Sequence, residues 1–97
     1  MIQRFQSLRE ATLAAVLRGP GRTTPELRQA VAQGEPPEEI AALVEKIRRH
    51  AYQVTDEDLA ALRAQYDEDQ LFEIIVAAAL GAAGARLDAG LRALEGA

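Results

Sequence analysis

The sequence predicts an all-α protein, an orthogonal bundle of five or six helices formed by a single domain over residues 1–97. Apolar residues recur at spacings of three and four in several segments, as on one face of an α-helix. Glycine and proline clusters separate these segments, and helix-capping signals precede two of them. A chain of this length buries only about two thirds of its unfolded surface. We therefore expect self-association to add to a modest core.

The first two helices are predicted on either side of a Gly-Pro-Gly turn. Residues 2–18 form an amphipathic helix that ends at residues 19–21, where proline removes a backbone donor. The residues at helical spacing on its inner face are Phe5, Leu8, Thr12, Leu13, Val16 and Leu17. Thr24 then suits the N-cap of a second helix over about residues 25–33, and Pro25 suits its first turn.

Gly34 and the Pro36-Pro37 pair end the second helix and precede a third. The third helix has a stripe at positions i, i+3, i+4 and i+7, formed by Ile40, Leu43, Val44 and Ile47. We expect this stripe to face a core or a partner.

Two later helix starts carry similar capping signals. Thr55 is followed three residues later by Asp58, and Asp67 is followed at the same spacing by Gln70. In a capping box, each side chain of such a pair accepts a hydrogen bond from the other residue's backbone N–H. The sequence therefore predicts helix starts at both places.

The last helix is predicted to begin near Glu68 and is apolar on nearly all sides, which is typical of a helix at the centre of an assembly. Gly81 to Gly84 indicate either a break or a tight helix crossing. The alanine- and glycine-rich surface predicts a homo-oligomer joined through these helices.

Composition excludes several functions. The chain has no cysteine, which excludes disulfides, thiolate metal sites and dithiol chemistry. Eleven basic against 15 acidic residues give a net charge of −4, so nucleic acid is not an expected partner. A single histidine without repeated ligand spacing indicates no metal site, and we expect no cofactor.

The predicted location is the cytoplasm. The first ten residues, MIQRFQSLRE, are polar where a signal peptide is apolar. No run of apolar residues in the sequence approaches the roughly 20 that are needed to cross a bilayer, so no membrane association is expected.

The segment from His50 to Leu71, HAYQVTDEDLAALRAQYDEDQL, resembles the active-site hairpin of the AhpD-like alkylhydroperoxidase and carboxymuconolactone decarboxylase family. In that family a Cys-x-x-Cys-x-x-x-His helix precedes a short acidic turn and a long apolar helix. His50 and Gln53 align with the two cysteines, and Glu57 aligns with the histidine. The resemblance covers residues 36–82 and implies an AhpD-like arrangement around a hairpin from about 37 to 80.

A chain without thiols cannot run the family's peroxidase cycle, which needs one thiolate to attack and a second thiol to resolve the product. The decarboxylase branch uses acid-base chemistry, for which His50 has the suitable unperturbed pKa. If residues 50–57 were one continuous helix, the seven-residue step of about 700° would place His50 and Glu57 on one face, beside Gln53. Otherwise, His50 ends the third helix, where a positive charge suits the helix dipole.

Two hypotheses follow. The first is a non-redox, AhpD-like homo-oligomer that serves as a structural, binding or accessory subunit, with another protein as a further partner. The second is a cofactor-free enzyme of decarboxylase type acting on a small carboxylate. In it, His50 and Glu57 are the catalytic acid-base pair, and Tyr52 and Gln53 bind the substrate.

Overall fold

The computed structural model describes the backbone of residues 2–96 and the side chains of residues 7–96; this part of the chain is helical and contains no strand. The α-helices are α1 (Ile2–Arg18), α2 (Pro25–Ala32), α3 (Glu38–His50), α4 (Asp56–Ala60) and α5 (Glu68–Gly96). A 3₁₀ turn over Ala51–Gln53 links α3 to α4. The prediction of an all-α chain is confirmed for the described residues, while the orthogonal arrangement stays a prediction. The predicted contribution of the Phe5 side chain to the inner face of the first helix lies outside the described residues.

The predicted boundaries of α2 are confirmed. The Thr24 hydroxyl accepts a hydrogen bond of 3.2 Å from the Leu27 N–H, and Pro25 is the first helical residue. At the other end, Gly34 adopts a left-handed φ of 79°. The N–H of Glu35 donates to the Ala30 carbonyl at 2.9 Å, and the Gly34 N–H donates to the Val31 carbonyl at 3.1 Å. This pattern is a Schellman motif, which glycine allows at no steric cost.

Both predicted capping pairs form. The Asp58 N–H donates to the Thr55 hydroxyl at 3.3 Å, and the Thr55 N–H donates back to the Asp58 carboxylate at 2.9 Å. At the start of α5, Gln70 and Asp67 exchange the equivalent bonds at 2.8 and 2.9 Å. The backbone hydrogen bond from Gln70, followed by the bond and charge of Arg22, lowers the pKa of Asp67 despite some desolvation.

The core lies where α2 and α3 pack against the first half of α5. The predicted α3 stripe is buried in it, which confirms that interpretation. The buried apolar side chains are Val31, Ile40, Leu43, Val44, Ile47, Leu62, Leu71, Ile74, Ala77, Ala78 and Ala82. α1 packs mainly on α2 and only lightly on α5.

Gly81 marks a tight crossing, so the alternative of a helix break is wrong. α5 is continuous from Glu68 to Gly96, and Gly81 lies directly against Ala32 at the end of α2. A Cβ atom added at Gly81 would lie 2.7 Å from the Ala32 carbonyl carbon and would overlap its oxygen. The missing side chain is therefore what permits α2 and α5 to approach this closely.

The prediction that no segment is long and apolar enough to cross a bilayer is wrong for α5, by length and composition. This helix has 29 residues, and an 18-residue window within it has a mean hydropathy of 1.6 and is 22% buried. Length and composition thus meet the requirement for a membrane span. The core helix of a soluble protein meets the same requirement, and α5 supplies much of the core here.

Candidate functional site

The four residues of the predicted acid-base site lie on an exposed corner. His50 ends α3, Tyr52 and Gln53 lie in the 3₁₀ turn, and Glu57 lies in the first turn of α4. All four side chains are exposed, Tyr52 by 82%. Because α3 ends at His50 and a new helix starts after Thr55, residues 50–57 are not one continuous helix, and the condition for placing His50 and Glu57 on one helical face is not met.

Within this corner, His50 and Tyr52 are brought together, since their rings meet edge to face with centroids 5.9 Å apart. Glu57 instead lines a groove of about 310 Å³ between α3 and α4, together with Glu39, Lys46 and Asp58. His50 is not part of that lining. The Lys46 ammonium donates to Asp58 at 2.8 Å, and this bond is the main reason that the pKa of Asp58 is lowered. The corner therefore has separate polar groups and no shared enclosure around His50.

A second polar cluster, which the sequence reasoning missed, joins α1, α2 and α5 around Arg28. Arg28 is 3% exposed, and its side chain donates to the main-chain carbonyls of Val16 at 2.6 Å and of Gly19. These carbonyls belong to the last turn of α1 and the residue after it, so Arg28 satisfies acceptors that have no partner within the helix. Arg28 Nε lies 3.8 Å from a carboxylate oxygen of Glu73 on α5.

Glu73 holds the loop between α1 and α2 against α5. Its carboxylate accepts bonds from the N–H of Arg22 at 2.7 Å, the N–H of Thr23 at 3.0 Å and the Thr23 hydroxyl at 2.8 Å. Burial raises the pKa of Glu73, but these bonds and the Arg28 charge together outweigh it and hold the pKa below its usual 4.5. The three N–H and O–H groups that bond to Glu73 all come from the loop of the same chain, so the geometry is that of a structural clamp.

An exposed apolar surface runs along α5 and is here called the α5 stripe. It contains no charged residue and comprises Phe72, Val76, Ala79, Ala83, Leu87, Gly90 and Leu94. Phe72 is 67% exposed, Leu94 68% and Leu87 47%, and of the seven only Val76 is half-buried. From Phe72 to Leu94 the stripe advances 22 positions in six steps of three or four, or about 3.7 residues per turn, so it runs almost straight along the helix.

α1 extends this surface sideways. Leu8 is 58% exposed, and together with Leu13 it faces Leu80 and Leu87 across a groove of about 300 Å³. An ion pair of 2.7 Å between Arg9 and Asp88 bridges the two helices beside the groove. Several exposed large apolar side chains thus lie on neighbouring parts of α1 and α5, which is unusual for a surface facing only water.

Within the described part of the chain, no three His, Asp or Glu side chains are grouped closely enough to hold a metal ion. No protein-family model matches the chain, and neither does any curated protein or solved structure. The fold and site define an all-α protein with an exposed apolar helix face.

Proposed function

We propose that this protein is a self-associating helical subunit with an AhpD-like arrangement, which acts as a structural, binding or accessory component without peroxidase activity. The exposure of the α5 stripe is the observation that carries the proposal. A second copy of the chain is the occupant that best fits the stripe, because two such helices can bury their apolar faces against each other.

Steps of three and four residues along the stripe support helix-on-helix packing. This spacing keeps one face of a helix in contact with a partner helix over many turns. Ala79, Ala83 and Gly90 let the backbones approach closely, while Phe72, Leu87 and Leu94 supply the area that is removed from water. Aromatic and aliphatic anchors of this kind dominate the energy of interfaces.

The size of the chain also supports self-association. Its core is small, and the second half of α5 extends beyond it, because the last buried side chain on this helix is Ala82. α5 is about 43 Å long at 1.5 Å per residue, close to the 47 Å length of the whole molecule. Pairing of this extended half would bury apolar area that the single chain leaves in water.

Sedimentation analysis tests the proposal. The wild-type protein, 10.5 kDa per chain, is expected to sediment as a dimer or larger closed oligomer at micromolar concentration. Leu87→Glu is expected to weaken association at least about tenfold, because it would place an unpaired charge in the interface. Ala89→Glu is the matched control, since Ala89 is exposed on the same helix but lies outside the stripe.

Circular dichroism accompanies each variant to establish that the helices remain folded. A wild-type protein that stays monomeric at these concentrations would contradict the proposal. Equal weakening by both variants would also contradict it, because charge alone would then explain the effect. Binding of the wild-type monomer to lipid vesicles, lost in Leu87→Glu, would instead assign the stripe to a membrane surface.

The acid-base enzyme remains the alternative proposal. It requires His50 and Glu57 to act on a small carboxylate beside Tyr52 and Gln53, although these side chains are exposed. Turnover of an identified carboxylate that persists unchanged in a His50→Ala variant would end it.

A further inference from the structure

A third groove lies on a different side of α5 from the stripe. It is formed by α3, the Gly34–Pro36 turn and α5, and its volume is about 460 Å³. This is within the size range of small-molecule sites, about 300–1,000 Å³. The apolar part of its wall consists of Pro36, Ala41, Val44, Ala82 and Ala85. Three of these five are alanines, whose short side chains leave open space that a leucine would fill.

The polar part of the wall is strongly basic. It contains Arg48, Arg49 and Arg86 against a single carboxylate, Glu45, which is a local excess of two positive charges (three minus one). Glu45 is paired with Arg49 at 3.4 Å. Among the side chains of residues 7–96, no carboxylate forms an ion pair with Arg48 or Arg86. This concentration contrasts with the net charge of −4 for the whole chain.

Both unpaired arginines are held in place by main-chain carbonyls. Arg48 Nη1 donates to the Ala32 carbonyl at 2.8 Å, and Arg86 Nη2 donates to the Arg48 carbonyl at 2.7 Å. Arg48 also packs against Gly34, where a Cβ would lie 3.4 Å from its Nε. A guanidinium has five N–H donors, so one carbonyl bond anchors each group and leaves donors for an anion. A guanidinium held in this way suits a carboxylate, which can accept two parallel hydrogen bonds from it.

The two carbonyl bonds also satisfy acceptors near the ends of α2 and α3, and this structural role explains why the arginines are there. It does not require an apolar groove beside them. The combination of an arginine pair with a wall of short apolar side chains is the feature that matches a ligand with a charged head and an apolar body.

We propose that this groove binds a monocarboxylate with a short unbranched apolar chain. Arg48 and Arg86 hold the carboxylate, and the chain lies against Ala41, Ala82 and Ala85. The groove lining contains no residue of the acid-base site at His50 and none of the α5 stripe, so the proposal does not depend on self-association or on acid-base catalysis.

Titration of ¹⁵N-labelled full-length protein, followed by NMR, tests the site with octanoate as the probe. Saturable shifts of backbone amides around Arg48, Ala82 and Arg86 are expected. Acetate has the head without the chain and is expected to bind at least about tenfold more weakly. Octylammonium has the chain with the opposite charge and is expected to leave these amides unshifted. Equal binding of octanoate and octylammonium would overturn the proposal, as would octanoate shifts confined to the α5 stripe.

Two matched pairs of variants test separately the contacts with the carboxylate and the contacts with the apolar chain of the ligand. Arg86→Gln is expected to raise the octanoate Kd about tenfold through loss of a charge-assisted hydrogen bond. Arg92→Gln removes the same charge from the same helix and is expected to leave the Kd unchanged. Ala85→Leu fills the groove and is expected to weaken octanoate binding at least about fivefold, while exposed Ala89→Leu has no effect. An unchanged Kd in folded Arg86→Gln and Ala85→Leu proteins would overturn the assignment.

Discussion

The two halves of α5 are both rich in alanine but have opposite environments. In residues 68–82, five side chains are buried under α2 and α3, whereas every described side chain in residues 83–96 is exposed or half-buried. Each half contains four alanines, but the aromatic and β-branched residues Phe72, Ile74, Ile75 and Val76 all lie in the first half, and three of the four glycines of the helix lie in the second. The comparison shows that burial along this helix depends on the elements packed on it, since α2 and α3 bury side chains only in the first half, whereas α3 leaves an open groove beside Ala85 and Arg86.

The largest expected difference in the free energy of unfolding is between Ile74→Ala in the first half and Leu87→Ala in the second. Ile74 is fully buried, and truncating it is expected to lower the free energy of unfolding by about 2–5 kcal/mol through lost burial and a cavity. Leu87 is 47% exposed, so its truncation should cost no more than about 0.5 kcal/mol in the monomer. Urea unfolding at a concentration where the chain is monomeric measures both. Similar losses for the two variants would mean that the second half is packed as well.

Two glycines extend the same comparison, because replacing each with alanine should change the stability of the fold in opposite directions. Gly81→Ala forces a Cβ into the Ala32 backbone and is expected to destabilise the fold by about 1–3 kcal/mol. Gly84 has no such neighbour within 4 Å, so Gly84→Ala should stabilise the helix by about 0.5–1 kcal/mol. Thermal unfolding of both variants checks the signs, and a stabilised Gly81→Ala protein would exclude the tight crossing.

Glu73 provides a pH-dependent test of the buried half. Its folded-state pKa is lowered, so the stability that it contributes is present above its usual pKa of 4.5 and is lost as the pH falls through the lower folded value. Glu73→Gln is expected to cost about 1–2 kcal/mol at pH 7, and the gap from wild type should narrow below pH 4.5. Urea unfolding from pH 7 to pH 3 measures the gap. A constant gap would mean that Glu73 titrates as it does in the unfolded chain.

The smallest effect is expected at the ion pair of the exposed half. Asp88 is 49% exposed in its contact with Arg9, and Asp88→Asn should cost at most about 1 kcal/mol because water and salt screen such pairs. The cost should shrink further in 0.5 M salt, measured by the same unfolding experiment. A loss that exceeded that of Glu73→Gln at pH 7 would reverse the ranking of the two halves.

Local chemistry made the helix boundaries predictable. The caps at Thr24, Thr55 and Asp67 and the Gly34 stop depend on residues within five positions of one another, so the sequence contains the whole signal. The buried α3 stripe was predictable for the same reason, because its helical period is visible in four residues.

Long-range contacts were not predictable in this way. Arg28 and Glu73 are 45 positions apart, Arg48 and Arg86 are 38 apart, and neither pair has a recognisable spacing. His50 was predicted as a catalytic residue from its residue type. Its exposure and its neighbours depend instead on where α3 ends. The sequence contains one indication of the Arg28 cluster. Arg28 lies in the predicted second helix between the apolar residues Leu27 and Val31.

The contact between Gly81 and Ala32 also fixes the register of α5 along α2. A slide of one helical turn, about 5.4 Å, would replace Gly81 with Ala77 or Ala85, and the new methyl group would meet the Ala32 carbonyl. Gly84 cannot substitute without a rotation of α5 by about 60°, because three residues fall short of a full turn by that angle. The absence of one methyl group therefore sets how far α5 projects beyond the bundle, and with it the length of helix that another molecule can reach.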